Sequence, residues 1–134
     1  MEKFDQSYIE MAGVWARNSY CKRRQVGALI VKDRMIISDG YNGTPSGFEN
    51  ICEDENGVTK PYVLHAEANA ITTVAKSGNS SNDATLYVTA SPCVECAKLI
   101  IQAGIKRVVY RDAYRITDGI DLLQRAGIEV EQVQ

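Results

Sequence analysis

Leu86-Tyr87-Val88-Thr89-Ala90-Ser91-Pro92-Cys93-Val94-Glu95-Cys96, running on to Val108-Val109-Tyr110, is the stretch from which the architecture follows. Leu86 to Thr89 carries the aromatic and β-branched residues that suit a pleated, half-buried surface, and predicts a strand. Ser91-Pro92 then predicts a helix start, with serine as N-cap and proline at the first helical position. That helix runs to about Ala103-Gly104, and Val108-Val109-Tyr110 forms the next strand. Strand, helix and strand in direct succession make a crossover, so at least part of the sheet is built from such connections.

Toward the N-terminus, residues 4–19 place Phe4, Tyr8, Met11, Ala12 and Trp15 at helical spacing, which predicts an amphipathic helix packing that face. Val26 to Val31 and Met35 to Ser38 read as two strands, and Lys32-Asp33-Arg34 between them is short enough for a hairpin turn. Asp39 to Gly47 follows as a loop with three glycines and a proline. Residues 49–60, around Cys52, read as an exposed acidic loop. Val63 to Ser77 is helical in pattern, with Ala66, Ala68, Ala70, Ile71, Val74 and Ala75 packing and Gly78 as the expected C-terminal stop. Beyond Tyr110, a helix spans roughly Gly119 to Ala126 and a short strand covers Ile128 to Val130. The order α-β-β-α-β-α-β-α-β predicts an α/β fold, with helices on both faces of a mixed five-stranded sheet and residues 1–134 forming one domain.

Composition narrows the function. The 45% hydrophobic and 24% charged content is ordinary for a globular protein. No apolar run reaches the roughly 20 residues of a membrane helix. The N-terminus lacks the basic and apolar regions of a signal peptide, so a cytoplasmic location is expected. There, the four cysteines are expected to be thiols or metal ligands rather than disulfides. The net charge of -2 argues against a nucleic-acid backbone as partner. The local exception is Lys22-Arg23-Arg24, a run that suits a solvated turn and is also the right size to hold one or a few phosphates.

The chemistry concentrates in two short pieces. The sole histidine lies in His65-Ala66-Glu67, and two of the four cysteines lie in Pro92-Cys93-Val94-Glu95-Cys96. One imidazole and two thiolates make three zinc ligands, with a fourth position left for water, as in a catalytic zinc site. Cys93 and Cys96, i and i+3 at the start of one helix, direct their sulfurs the same way, where the helix dipole favours thiolates. Residues two apart on a regular helix diverge, so His65 is expected just outside its helix and Glu67 in the first turn. The C-x-x-C could be half of a zinc knuckle, but a structural zinc site needs four protein ligands, and Cys21 and Cys52 show no second C-x-x-C. A redox pair would leave His65 unexplained.

With its H-x-E…P-C-x-x-C pattern, the chain resembles the zinc base deaminases. From Trp15 to Val130 it resembles the deoxycytidylate (dCMP) deaminases of the cytidine/deoxycytidylate deaminase superfamily. The resemblance rests on Gln25-Val26-Gly27-Ala28, Gly40-Tyr41-Asn42-Gly43-Thr44-Pro45, Pro61-Tyr62-Val63, Ala68-Asn69-Ala70-Ile71 and Gln102-Ala103-Gly104-Ile105-Lys106. It implies a three-layer α-β-α cytidine-deaminase-like fold and hydrolysis of dCMP to dUMP and ammonia, which would feed thymidylate synthesis. It further implies one zinc on His65, Cys93 and Cys96, and Glu67 as proton shuttle. Asn42 would bind the sugar hydroxyl and the Ala66 N–H the pyrimidine carbonyl, with Tyr114 at the substrate mouth and Arg24 or Arg23 on the 5'-phosphate.

Relatives of this kind suggest a homohexamer activated by dCTP and inhibited by dTTP, with Mg2+ on the triphosphate. Some suggest a second zinc using Cys21 and Cys52 with help from Glu53 or Glu55. In this chain the 49–62 loop is short, and shielded free thiols are the expectation. Three rival readings are an enzyme that also accepts dCTP, a nucleic-acid-editing deaminase, and a non-catalytic competence-type paralogue. The last would have lost one of His65, Glu67, Cys93 or Cys96.

Overall fold

Asp33 and Arg34 both adopt positive φ, 52° and 64°, and so form the two-residue mirror-image turn whose twist matches that of a hairpin. In the computed structural model, which describes residues 1–133, this turn joins β1 (Gly27–Lys32) to β2 (Met35–Tyr41). Before the hairpin comes α1 (Asp5–Ala16). After it come α2 (Ala66–Ala75), β3 (Thr85–Ala90), α3 (Val94–Gln102), β4 (Arg107–Asp112), α4 (Asp118–Arg125) and β5 (Glu129–Gln132). The order of elements is the expected one. The five strands form one sheet in the order β2-β1-β3-β4-β5. β1 pairs antiparallel with both β2 and β3, while β3–β4 and β4–β5 are parallel and connected through α3 and α4.

Alternation along the strands sorts side chains into two layers. Ala28, Ile30, Leu86, Val88, Val108 and Tyr110 pack against Ala70, Val74, Ile100 and Leu123 of α2, α3 and α4. Leu29, Tyr87 and Val109 on the other face pack against Ile9 and Ala12 of α1 and against Val133. Each fully buried aliphatic side chain in these layers contributes about 1.5–3 kcal/mol. The result is the three-layer α-β-α arrangement with a mixed sheet.

Several local expectations change. The buried stripe of α1 is Asp5, Ile9, Ala12 and Ala16, whereas Met11 and Trp15 are partly exposed. The helix is rotated toward this stripe because Asp5, fully buried, forms ion-paired hydrogen bonds with Arg107 of β4 at 2.6 and 2.8 Å and accepts one from the Tyr87 hydroxyl at 2.7 Å. Small Ala12 and Ala16 meanwhile let the helix backbone approach Gly27. Arg107 also pairs with Glu129 and Glu131 of β5, tying α1 to three strands. β2 continues through Asp39-Gly40-Tyr41, where a loop is expected. A Cβ at Gly40 would lie 2.6 Å from the Ala66 carbonyl oxygen, so glycine there permits the close packing of α2 on β2. α2 ends at Ala75 without using Gly78; its last carbonyls are met by the Lys76 and Ser77 amides.

Candidate active site

α2 and α3 begin side by side at one edge of the sheet, and each is preceded by an extended residue that carries a metal-ligating side chain. His65 is the N-cap of α2, with φ −72° and ψ 159°; Cys93 is the N-cap of α3, with φ −80° and ψ 173°. Helix α3 therefore starts at Val94, two residues later than Ser91-Pro92 predicts, and no side chain caps it. Ser91 serves another segment instead: its hydroxyl accepts the Tyr114 N–H at 2.9 Å. Because His65 and Cys93 stand outside regular helix, their side chains can turn toward Cys96 in the first turn of α3. His65 Nδ1 lies 3.3 Å from Cys96 Sγ and 3.5 Å from Cys93 Sγ. Among the described residues, these three form the group able to hold a metal ion, with ligand atoms all within 4.8 Å of one another. One imidazole nitrogen and two sulfurs converging at the N-termini of two helices is a donor set that fits zinc.

Glu67, in the first turn of α2, is buried beside this group. Burial pushes its carboxyl up to about 7, against the pull of its hydrogen bonds and of His65. The two sulfurs are unequal. The Cys96 thiol, hydrogen-bonded to Cys93, and then His65 hold Cys93 down at about 3. The same bond and burial push Cys96 up, and the bond to Cys93 raises the imidazole of His65.

A cleft of about 750 Å³ opens over these side chains. His65, Ala66, Glu67 and Cys93 line its floor, while Asn42, Arg23, Arg24 and Tyr114 stand around it, so all but one of the residues expected to serve the catalytic zinc, the proton transfer and the substrate share one cavity. The exception, Cys96, is buried behind the floor. Ala66, first residue of α2, has no acceptor for its N–H within the helix. Asn42 is largely engaged with the backbone. Its Oδ1 accepts the Val26 N–H and its Nδ2 donates to the Arg24 carbonyl, both at 2.8 Å, which leaves one N–H and one lone pair. The loop holding Asn42 is fastened to the residue before His65 by paired Gly43–Leu64 backbone bonds of 2.8 and 3.0 Å. At the mouth, the Arg24 guanidinium lies 4.0 Å from the centroid of the Tyr114 ring.

Arg115, Ile116 and Gly119 also line the cleft and carry no periodic signal in the sequence. Any side chain at Gly119 would collide with the backbone of Pro92 and Cys93, so this glycine lets α4 press on the ligand-bearing turn. Cys21 and Cys52, expected as free thiols, are joined in a disulfide. The 49–60 loop folds on itself through the Asp54 carboxylate, which accepts the Asn56 and Val58 amides, and through a bridge between Glu53 and Thr59. This turn buries Cys52 against the connection after α1, with the two Cα atoms 5.1 Å apart. An expectation based on compartment carried no information about that distance.

Comparison with known proteins agrees with this geometry. Residues 2–112 match the family model described as the cytidine and deoxycytidylate deaminase zinc-binding region. The ComE operon protein 2 of Bacillus subtilis strain 168 is 39% identical over 98% of this chain and 71% of its own length. The deoxycytidylate deaminase of Enterobacteria phage T4 is 36% identical over 93% of this chain and 87% of its own. The crystal structure of dCMP deaminase from the cyanophage S-TIM5, in complex with dCMP and dUMP, superposes with a TM-score of 0.96 and 50% identity, covering 99% of each chain.

Proposed function

This chain belongs to the cytidine and deoxycytidylate deaminase family, and from that premise we propose that it hydrolyses dCMP to dUMP and ammonia. The observation that carries the proposal is the buried Glu67 beside the converging His65, Cys93 and Cys96, on the floor of a cleft whose mouth holds arginines. His65, Cys93 and Cys96 would hold zinc. When bound, zinc supplies the Lewis acidity that makes water a nucleophile near neutral pH. Glu67 takes one proton from the attacking water and delivers it to the ring nitrogen next to the amine-bearing carbon. It then takes the second proton, from the hydroxyl added at that carbon, and passes it to the amine, which leaves as ammonia while the C–N bond breaks and the carbonyl forms. Burial raises this carboxyl above the ordinary carboxylate range, which favours its taking up the proton it then passes on. The free Ala66 N–H binds the pyrimidine carbonyl, and the remaining valences of Asn42 bind the sugar hydroxyl. Tyr114 closes on the nucleotide, and Arg24, with Arg23 and Arg115 nearby, meets the 5'-phosphate.

In the same reading the enzyme is a cytoplasmic homohexamer that supplies dUMP for thymidylate synthesis, with dCTP as activator, dTTP as inhibitor and Mg2+ on the effector. The family resemblance supports this part. So does a second cleft of about 480 Å³, where Lys22 and Arg23 face Glu53, Asp54 and Glu55, charges of both signs suited to a metal-complexed triphosphate.

Incubating the protein separately with dCMP, dCTP, deoxycytidine and a tRNA, and measuring ammonia, tests the proposal. Release from dCMP alone is expected, and its rate with added dCTP or dTTP reports regulation. Ammonia from RNA alone would establish the editing reading instead. A competence-type binding module that keeps the fold is the second reading; ammonia from none of the four substrates would favour it. Retention of His65, Glu67, Cys93 and Cys96 argues for the enzyme.

A further inference from the structure

The connection between α1 and β1 brings Arg23 and Arg24 to the cleft, and it has no regular secondary structure of its own. Side chains from elsewhere hold it. Glu53 Oε2 accepts the Lys22 N–H at 3.0 Å and the Arg23 N–H at 3.1 Å. The residue before Glu53 is Cys52, bonded to Cys21 at the other end of the same stretch. On the far side, Asn42 grips the Arg24 carbonyl and the Val26 N–H. Cys21 and Glu53 themselves form part of the cleft wall. The 49–60 loop is thus a clamp with two adjacent jaws, one covalent and one a carboxylate hydrogen-bonded to backbone amides, closed on the segment that presents the arginine pair.

We propose that the Cys21–Cys52 disulfide, acting with Glu53, is a positioning device for Arg23 and Arg24, so that its oxidation state sets the affinity of the cleft for a phosphate-bearing substrate. This rests on the reading that the arginines meet the phosphate. Both sulfurs are buried, but Ile51 and residues 54–59 are exposed, and local opening of the loop brings the bond to solvent. A dithiol then reduces it. One thiolate attacks Cys52 Sγ and expels Cys21 as a thiolate, and the second thiol of the reductant displaces Cys52 from the mixed disulfide. Two electrons pass to the pair, both cysteines end protonated, and the reductant leaves as its own disulfide. The carboxylate jaw remains but is no longer anchored, and the arginines lose their fixed orientation toward the cleft.

The test compares the zinc-loaded protein before and after treatment with a trialkylphosphine, which reduces the same bond while its phosphorus becomes the oxide with oxygen from water. Readouts are KM and kcat for dCMP, competitive inhibition by inorganic phosphate, zinc content, and thiols accessible after denaturation. Before treatment only Cys93 and Cys96 should react with a thiol reagent; afterwards all four cysteines should. Reduction should raise KM for dCMP and the phosphate inhibition constant together, by about tenfold, the size of one charge-assisted hydrogen bond. The zinc content should stay unchanged and kcat should move much less than KM. Glu53→Gln, with its disulfide intact, should shift the same two constants in the same direction. Four reactive thiols in protein purified without reductant, or equal constants before and after reduction, would overturn the clamp. Arg23→Ala and Arg24→Ala in the oxidised protein keep the two failures apart. If neither raises the phosphate inhibition constant, the phosphate reading itself is wrong; if they do and reduction does not, only the clamp is wrong.

Discussion

The guanidinium of Arg24 stacks on the ring of Tyr114, 4.0 Å from its centroid, and so two connections far apart in the chain meet across the mouth of the cleft. Tyr114 is itself held by its amide bond to Ser91, immediately upstream of Pro92 and Cys93. An exposed cation–π pair contributes about 0.5–1 kcal/mol. Tyr114→Ala should therefore raise KM for dCMP by roughly 2- to 5-fold. Tyr114→Phe, which keeps the ring face, should remain close to wild type. Steady-state kinetics on the two variants checks this, and equal losses would point to the hydroxyl instead of the stack.

Glu67→Gln keeps the shape of the side chain and removes its capacity to move protons. Turnover of dCMP should fall by a factor on the order of 10² to 10⁴, with zinc content unchanged by elemental analysis. Turnover near that of wild type would remove Glu67 from the mechanism.

Metal occupancy should depend on Gly119, which no sequence motif marks. An added methyl there meets the backbone of Pro92 and Cys93, and displacing that turn moves Sγ of Cys93 away from His65. Gly119→Ala should weaken zinc retention against a chelator, short of the full loss expected for Cys93→Ser. Metal content after dialysis against increasing chelator measures the order wild type, Gly119→Ala, Cys93→Ser. Activity should follow the same order.

Stability should fall in acid through Asp5. Burial works to raise its pKa, but the Arg107 and Tyr87 hydrogen bonds prevail and hold it at about 2, below the ordinary 3.8. Because the folded value is the lower one, the contribution is complete above about pH 4 and is lost as pH falls toward 2. Its size from that difference is about 2 kcal/mol. Urea unfolding at a series of pH values should show this loss in wild type and a flatter acid limb in Asp5→Asn. Arg107→Ala should be worse at neutral pH, by about 3–5 kcal/mol, since it leaves the Asp5 carboxylate buried and unpaired. Equal acid dependence in wild type and Asp5→Asn would place the sensitivity elsewhere.

Much of this molecule is legible from neighbouring residues alone. The order of helices and strands follows from local periodicity, and the hairpin from a short polar break between two β-branched runs. The candidate metal ligands stand out because the sole histidine and a C-x-x-C pair are rare enough to be read by chemical type, and the position of His65 outside its helix follows from the angle between residues two apart. Other features depend on contacts that no local pattern encodes. The periodicity of α1 allows two adjacent stripes, and Arg107, some hundred residues on, selects the one with Asp5. Ser91 reads locally as a helix cap, yet its hydroxyl goes to Tyr114 because the 113–117 segment lies over it. Cys21 and Cys52 are separated by 31 positions, and their pairing depends on how a short loop folds back. The H-x-E and C-x-x-C motifs specify donor atoms and a carboxylate, because side-chain chemistry belongs to each residue. Where the arginines stand, which stripe is buried and which sulfurs meet are properties of distance, and distance across the chain exists only after the sheet has assembled.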